Sequence, residues 1–421
     1  MLTAWSSTQS PHIMRTTIAL ALGMAEAKVR VVHPAIGGGF GVKTHIYPED
    51  MVVPWISLTL GQPVRWIEDR MENLVASVHA REQRHDVALA YDDDGTIRAV
   101  RCMSTLDLGS GEIVIPGVSP VFVTNVCLSG SNDLANVATR TVAAVTDKIP
   151  SGAYRGFGVP ESTFVMERII DRVARHTGTD RVELRRRMLL RPAQLPYVMH
   201  GGGRVDSGAH AECFERALEV AAPALTRARS AHADDPDVRV GVGYANCIEP
   251  TSPSCFLTTG HWAGGDAATV RVDPDGSVRI AAGRSAIGQG AETAAAQLAA
   301  DALGVSPEGV TVVLGDTERS PYGLGSWGSR GHRSLGPHGG PARRHGSRPG
   351  DVWLFPAGER GARARWRRQG QFGCGLVERH AHRDCQRADQ HRRSGHRGFH
   401  RVSRLRHHHQ PGDRGGLVLC P

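Results

Sequence analysis

Four glycine-rich turns carry the residues of this chain best suited to chemistry. The first is Ile36-Gly37-Gly38-Gly39-Phe40-Gly41-Val42-Lys43. The second, GAYRGFGVPE over 152–161, holds Arg155; the third, IGQGAET over 287–293, holds Gly288, Gln289 and Gly290. The fourth, PYGLGSWGSR over 321–330, holds Ser329, and Gln9 lies in a further turn, SSTQSP, over 6–11. Glycine takes positive φ without strain and lets a ligand approach the main chain. Successive amides in such turns can point at one anion. Bare amides, Gln side chains and one Arg together suit an anionic ligand with several oxygens. Each turn alone also has a plainer reading. Phe40 could anchor a core, Gln9 could cap a turn, Arg155 could make a surface ion pair, and Gln289 could cap a helix start.

Two phosphate loops fail on spacing. A dinucleotide fingerprint counted from Gly37 needs glycine at its sixth position, which is Val42. A Walker loop needs glycine directly before Lys-Ser/Thr, and here Val42 precedes Lys43-Thr44.

These turns need elements to position them, and the patterning predicts a mixed α/β (α+β) chain. A strand enters the turn before Ser10-Pro11, which read as N-cap and first position of a helix. Ile13, Thr17, Leu20 and Met24 would share its buried face. A strand over 29–32 leads into the first glycine turn, and a helix over 48–60 follows, ended by Gly61. PVRWI over 63–67 reads as a buried strand. Residues 83–102 read as a hairpin around Asp92-Asp93-Asp94-Gly95, whose acids lack calcium-loop spacing and read as a solvated turn. A strand over 139–146 feeds the second glycine turn. The helix after it presents Phe164, Val165, Ile169, Ile170 and Val173 as its apolar face. Further helices are expected over 180–190, 214–224 and 294–303. A strand is expected over 240–248, a hairpin over 268–281 around Asp273-Pro274-Asp275-Gly276, and a strand over 310–314.

Composition divides the chain. The 421 residues carry a net charge of +8, yet residues 331–421 alone hold 19 Arg, no Lys and 6 acidic residues. Residues 1–330 hold 31 basic and 36 acidic residues, so the basic character belongs to the tail. That tail lacks Lys, Thr, Asn, Ile, Met and Tyr, and its apolar residues show no sustained period. It reads as disordered, or as an out-of-frame product after about Arg330. Its arginines could bind a polyanion, but no nucleic-acid motif accompanies them, so no specific nucleic-acid partner is expected. The eight cysteines include no CxxC pair, which predicts neither a zinc site nor a disulfide framework and suits a reducing cytoplasm. No apolar run predicts a membrane span, and no secretion signal is visible. The boundaries read as 1–235, 236–330 and the tail over 331–421.

In this order the motifs resemble the molybdopterin-binding large subunit of the xanthine dehydrogenase / aldehyde oxidase / aerobic carbon monoxide dehydrogenase family. The matching stretches are SSTQSP, GGGFGVK over 37–43, PVRWIEDRMENL over 63–74, GAYRGFGVPE, IGQGAET and PYGLGSWGSR. The third and last of these look most like the carbon monoxide dehydrogenase branch. The resemblance implies two molybdopterin-binding domains, the first lacking its N-terminal part and the second only begun. It implies a molybdenum–molybdopterin cofactor, in its cytosine dinucleotide form. It also implies an iron–sulfur small subunit and an FAD-binding medium subunit, in a dimer of heterotrimers. Gln9, Phe40 and Arg155 are the implied catalytic residues: Gln9 near the apical oxo group, Phe40 beside the metal, Arg155 on the substrate. Gly38, Gly39, Phe40, Gly41, Arg155, Gly288, Gln289, Gly290 and Ser329 are the implied cofactor contacts, with no side chain ligating metal. The implied reaction oxidises a small molecule with water as oxygen source and a carboxylate as base.

The chain departs from that pattern in three places. Gly156 follows Arg155 where the carbon monoxide enzymes carry a copper-holding Cys nearby, so an aldehyde or N-heterocycle is the better substrate. Thr44 stands where purine-oxidising members have Glu. The family's base sits in a GxGE context, and PAGERG around Glu359 does not supply it. The chain therefore reads as an inactive fragment, or as a non-catalytic binding protein keeping the fold.

Overall fold

The computed structural model describes residues 1–111, 119–250 and 266–329, with three short strands beyond them. Strand β1 (Leu2–Trp5) and β2 (Val29–Val32) pair in parallel, joined by helix α1 (Pro11–Ala21). Pro11 opens α1, but the Ser10 hydroxyl does not cap it; it donates to the Leu324 carbonyl at 3.0 Å. The helix buries Ile13, Met14 and Ile18 against Val29, Val31 and Leu324. This corrects the expected face, because Leu20 is 69% exposed. Ile13 of the expected face is buried, but Met14 and Ile18 join it in place of Leu20.

Helix α2 (Pro48–Leu60) runs from a proline start to Gly61 in the left-handed region, as expected. The expected strand over 63–67 does not form. Those residues are irregular, and Trp66 and Ile67 are exposed, because among the described residues no strand pairs with them. Helix α3 (Arg70–Ala76) follows, capped by Asp69 and Glu72 in a reciprocal box.

The largest sheet holds β3 (Gln83–Tyr91), β4 (Ile97–Gly109) and β5 (Val137–Val145). β3 and β4 form the expected hairpin; β4 and β5 run parallel, linked through α4 (Ser119–Val126). Helix α5 (Val159–Thr177) buries Val165, Met166, Ile169, Ile170 and Val173 on this sheet. Phe164, expected on that face, points outward instead. α6 (Arg181–Met188) is capped by Asp180. A two-residue pair, β6 (Tyr197–Val198) and β7 (Arg204–Val205), precedes the long α7 (His210–Ala231).

Residues 240–248, expected as a strand, alternate between half-buried and exposed but pair with no strand among the described residues. A three-stranded sheet follows, β8 (Ala268–Val272), β9 (Val278–Ala282) and β10 (Val310–Val313), with α8 (Ala291–Leu303) crossing from β9 to the parallel β10. Beyond it, β11 (Arg343–Arg344) pairs with β12 (Trp353–Leu354), and β13 (Ser403–Leu405) lies antiparallel beside β3. The expectation of a disordered or out-of-frame tail otherwise lies outside the described residues. Among the described residues no helix is long and apolar enough to cross a membrane.

The last described segment is stitched to β2. Val31 N–H donates to Thr317 Oγ1 at 2.9 Å, Thr317 N–H donates to the Val31 carbonyl at 3.1 Å, and Arg30 forks onto both oxygens of Asp316. That seam, between residues 286 apart in the chain, carries the fourth glycine turn back to Gln9.

Candidate functional site

Gln9 is the hub. Its side-chain Oε1 accepts from the Gly41 amide at 2.9 Å, and its Nε2 donates to the Ser326 carbonyl at 2.7 Å. Its backbone carbonyl accepts from Ser326 N–H at 2.9 Å and from Ser285 Oγ at 2.7 Å. One buried residue thus ties the first and fourth turns together and joins them to Ser285, just ahead of the third. Gly39 must be glycine for the same reason, since an added Cβ would lie 2.5 Å from Gln9 Oε1.

The second turn closes on the first. Arg155 N–H donates to the Phe40 carbonyl at 2.8 Å, and its guanidinium lies 5.9 Å from the centre of the Phe40 ring. A Cβ on Gly41, at φ 97°, would press on the Ala153 carbonyl. Ala153 N–H donates to His45 Nε2 at 2.7 Å. That bond requires a bare Nε2 and so a neutral ring. Burial enforces it, holding the His45 pKa down to about 4.

Backbone strain is concentrated here. The non-glycine residues with positive φ among those described are Phe40, Arg81, Phe157 and Ser329. Three of them line one cleft, and Arg81 donates a guanidinium N–H to the carbonyl of Arg155. Strain of about 1–3 kcal/mol at such a residue persists where surrounding structure dictates it, and it clusters at functional sites.

The cleft has a volume of about 1210 Å³. Gln9, Gly38, Gly39, Phe40, Gly41, Arg155, Gly288, Gln289 and Ser329 all line it. Gly290 does not; it caps α8 at φ 74°. Gln289 lines the cleft but turns its amide onto its own loop, accepting from Ile287 N–H at 2.6 Å and donating to the Ser285 carbonyl at 3.2 Å. The Gly41 amide, expected to face a ligand oxygen, is engaged by Gln9.

Several lining residues lie outside the motifs read from the sequence or were not singled out within them. Ala245, Cys247 and Glu249 come from the unpaired extended stretch, and Trp327, Phe157 and the buried Arg284 also contribute. The period-two alternation over 240–249 was the available signal for the first three. Cys247 is a thiol in the same cleft as Arg155, brought there by a different segment.

This chain is similar to known molybdopterin cofactor-binding proteins. Models of the molybdopterin cofactor-binding domain match residues 1–189 and 216–337. The chain belongs to the molybdenum hydroxylase large-subunit family. It is 35% identical over 340 residues to the carbon monoxide dehydrogenase large chain of Hydrogenophaga pseudoflava, covering 78% of this chain and 42% of that one. It is also 35% identical over 332 residues to the nicotine 6-hydroxylase large subunit of Paenarthrobacter nicotinovorans, covering 77% and 40%. Among solved structures, quinoline 2-oxidoreductase from Pseudomonas putida 86 superposes with a TM-score of 0.75 at 35% identity, over 79% of this chain and 43% of that one. The chain thus spans about two fifths of the length of the relatives it matches.

The residues present fit the cofactor of that family. Gly37 and Gly288 line the cleft, and a Cβ on either would meet nothing within 4 Å, so bare backbone faces the space. Thr44 Oγ1 is buried at the cleft and has no hydrogen-bond partner among the described residues. No group of three or more His, Cys, Asp or Glu among them could hold a metal ion.

Proposed function

We propose that this chain forms the cofactor-cradling part of a molybdenum-dependent hydroxylase that oxidises an aldehyde or N-heterocycle, with water as oxygen donor. One observation carries the reading: four turns, remote in sequence, converge on one cleft with bare glycine backbone in its wall. The cofactor is molybdopterin, in its cytosine dinucleotide form. When bound it supplies a two-electron oxidant and delivers a water-derived oxygen. The turn over 37–41, Gly288, Gln289 and Ser329 hold it, and the Thr44 hydroxyl is free to donate to it.

Gln9 acts by fixing the turns around the cofactor, since both ends of its amide are engaged by protein. Arg155 has no carboxylate in ion-pair reach among the described residues. Its guanidinium balances negative charge developing on a substrate oxygen. The Phe40 ring, 55% exposed, lies 5.9 Å from that guanidinium and offers it a cation–π contact. Gly156 beside Arg155 favours a carbon-centred organic substrate over carbon monoxide, and Thr44 in place of Glu disfavours a purine. Electrons leave through an iron–sulfur subunit and an FAD subunit in the cytoplasm, in a dimer of heterotrimers.

The test is the cofactor content of the purified chain, made in a molybdenum-replete host. Pterin, molybdenum and released cytidine monophosphate are expected in near-equal molar amounts. A chain that is folded by circular dichroism yet carries none of the three would reject the proposal.

A further inference from the structure

We infer that Glu249 is a cation anchor in the cleft, and that the substrate is a flat organic molecule carrying a positively charged nitrogen. The inference rests on the substrate-cleft reading above and narrows its substrate class.

The stretch that carries Glu249 is irregular but firmly held. Arg181 donates to the Val242 carbonyl at 3.1 Å. The Tyr244 ring lies against Phe214, with the Arg181 and Arg185 guanidinium groups at 5.3 and 4.9 Å from its centre. Asn246 N–H donates to Glu167 Oε1 at 2.7 Å, and Ile248 packs on the core beside α4 and α5. The even-numbered residues are therefore anchored in the protein. In an extended chain the odd-numbered ones face the other way, and Ala245, Cys247 and Glu249 all line the cleft.

Glu249 has no hydrogen bond or ion pair among the described residues, whereas the other acids beside the cleft are committed. Asp266 holds Leu324 N–H and faces Arg284, and Glu161 faces Arg81. The surrounding wall raises the Glu249 pKa above the ordinary carboxylate range, against the opposing pull of the Arg81 charge, though the residue as a whole remains open to solvent. A carboxylate with no hydrogen bond or ion pair among the described residues, in the wall of an apolar, aromatic cleft, favours a ligand that brings positive charge. Phe40, Phe157 and Trp327 supply flat surface for the rest of that ligand. Arg155 and Glu249 then divide the work: one meets the oxygen-bearing reactive end, the other the cationic end.

Equilibrium dialysis with two probes of one shape tests this. 1-Methyl-4-phenylpyridinium is a permanent cation, and 4-methylbiphenyl is its neutral counterpart. The wild-type chain is expected to prefer the cation, Glu249→Gln to weaken the cation roughly tenfold and leave the neutral probe unchanged, and Glu249→Asp to keep the preference. Pterin content is measured on the same samples. Unchanged cation affinity in Glu249→Gln, equal affinity of wild type for both probes, or binding of neither would overturn the inference, even where pterin is present. Charge-selective binding that depends on Glu249 in a chain lacking pterin would support the anchor and count against the cofactor reading alone.

Discussion

Gly325→Ala is expected to lower stability by about 2–5 kcal/mol and to strip the chain of cofactor. Gly325 sits at φ 85°, where a side chain costs about 1–2 kcal/mol. The added Cβ would lie 2.2 Å from the Gln9 carbonyl oxygen and 2.7 Å from Ser10 Cα. Both are backbone atoms and cannot rotate away, so the seam must open at a further cost of about 1–3 kcal/mol. Ser326, which exchanges hydrogen bonds with Gln9, moves with it. Gly288→Ala is the control. Its Cβ meets nothing within 4 Å, so the variant bears only the φ strain while placing a methyl group in the cleft. Urea denaturation and pterin content together separate the two. Gly325→Ala should lose both stability and pterin; Gly288→Ala should lose mainly pterin. Equal stability losses would mean that the seam is not what holds the cleft together.

Arg185→Leu carries the second large effect. Arg185 is 1% exposed and lies between Glu167 Oε2, at 2.8 Å from its Nε, and Asp171 Oδ1, at 2.9 Å from its Nη2. Removing one partner from a buried charge network costs about 3–5 kcal/mol, because the remaining charges stay desolvated without compensation. Arg185→Lys should recover only part of that, since an ammonium cannot fork between two carboxylates. The loss reaches the cleft, because Tyr244 and Glu167 both hold the wall that carries Cys247 and Glu249. Amide hydrogen exchange at Asn246 should therefore accelerate more than global unfolding accounts for. Exchange at Asn246 that simply follows global stability would sever this link.

Much of this arrangement was legible before any coordinates. Helix α2 reads off its ends, because Pro48 suits a first helical position and Gly61 a left-handed stop. The glycine turns were legible for the same local reason. What failed needed knowledge of a distant partner. PVRWI looks like a buried strand until one asks what would pair with it. The α1 face shifted because β2 and Leu324 decide which side is covered. The Ser10 hydroxyl left the helix end for a carbonyl 314 residues away. Residues 240–249 show the intermediate case. Their alternation was legible, but it reflects side-chain anchoring on one side and a cleft on the other, and no strand among the described residues pairs with them. Glu249 carries no motif, and only the folded chain shows that it lines the cleft.

The central claim is that these remote turns cradle a molybdenum-bearing pterin between Phe40, Arg155 and Gln289. Anomalous X-ray diffraction at the molybdenum edge, from crystals of the loaded chain, tests it most directly. A single peak inside the cleft, beside the Phe40 ring, is the predicted result. A peak elsewhere on the molecule, or no peak in crystals whose cleft is intact, would contradict it.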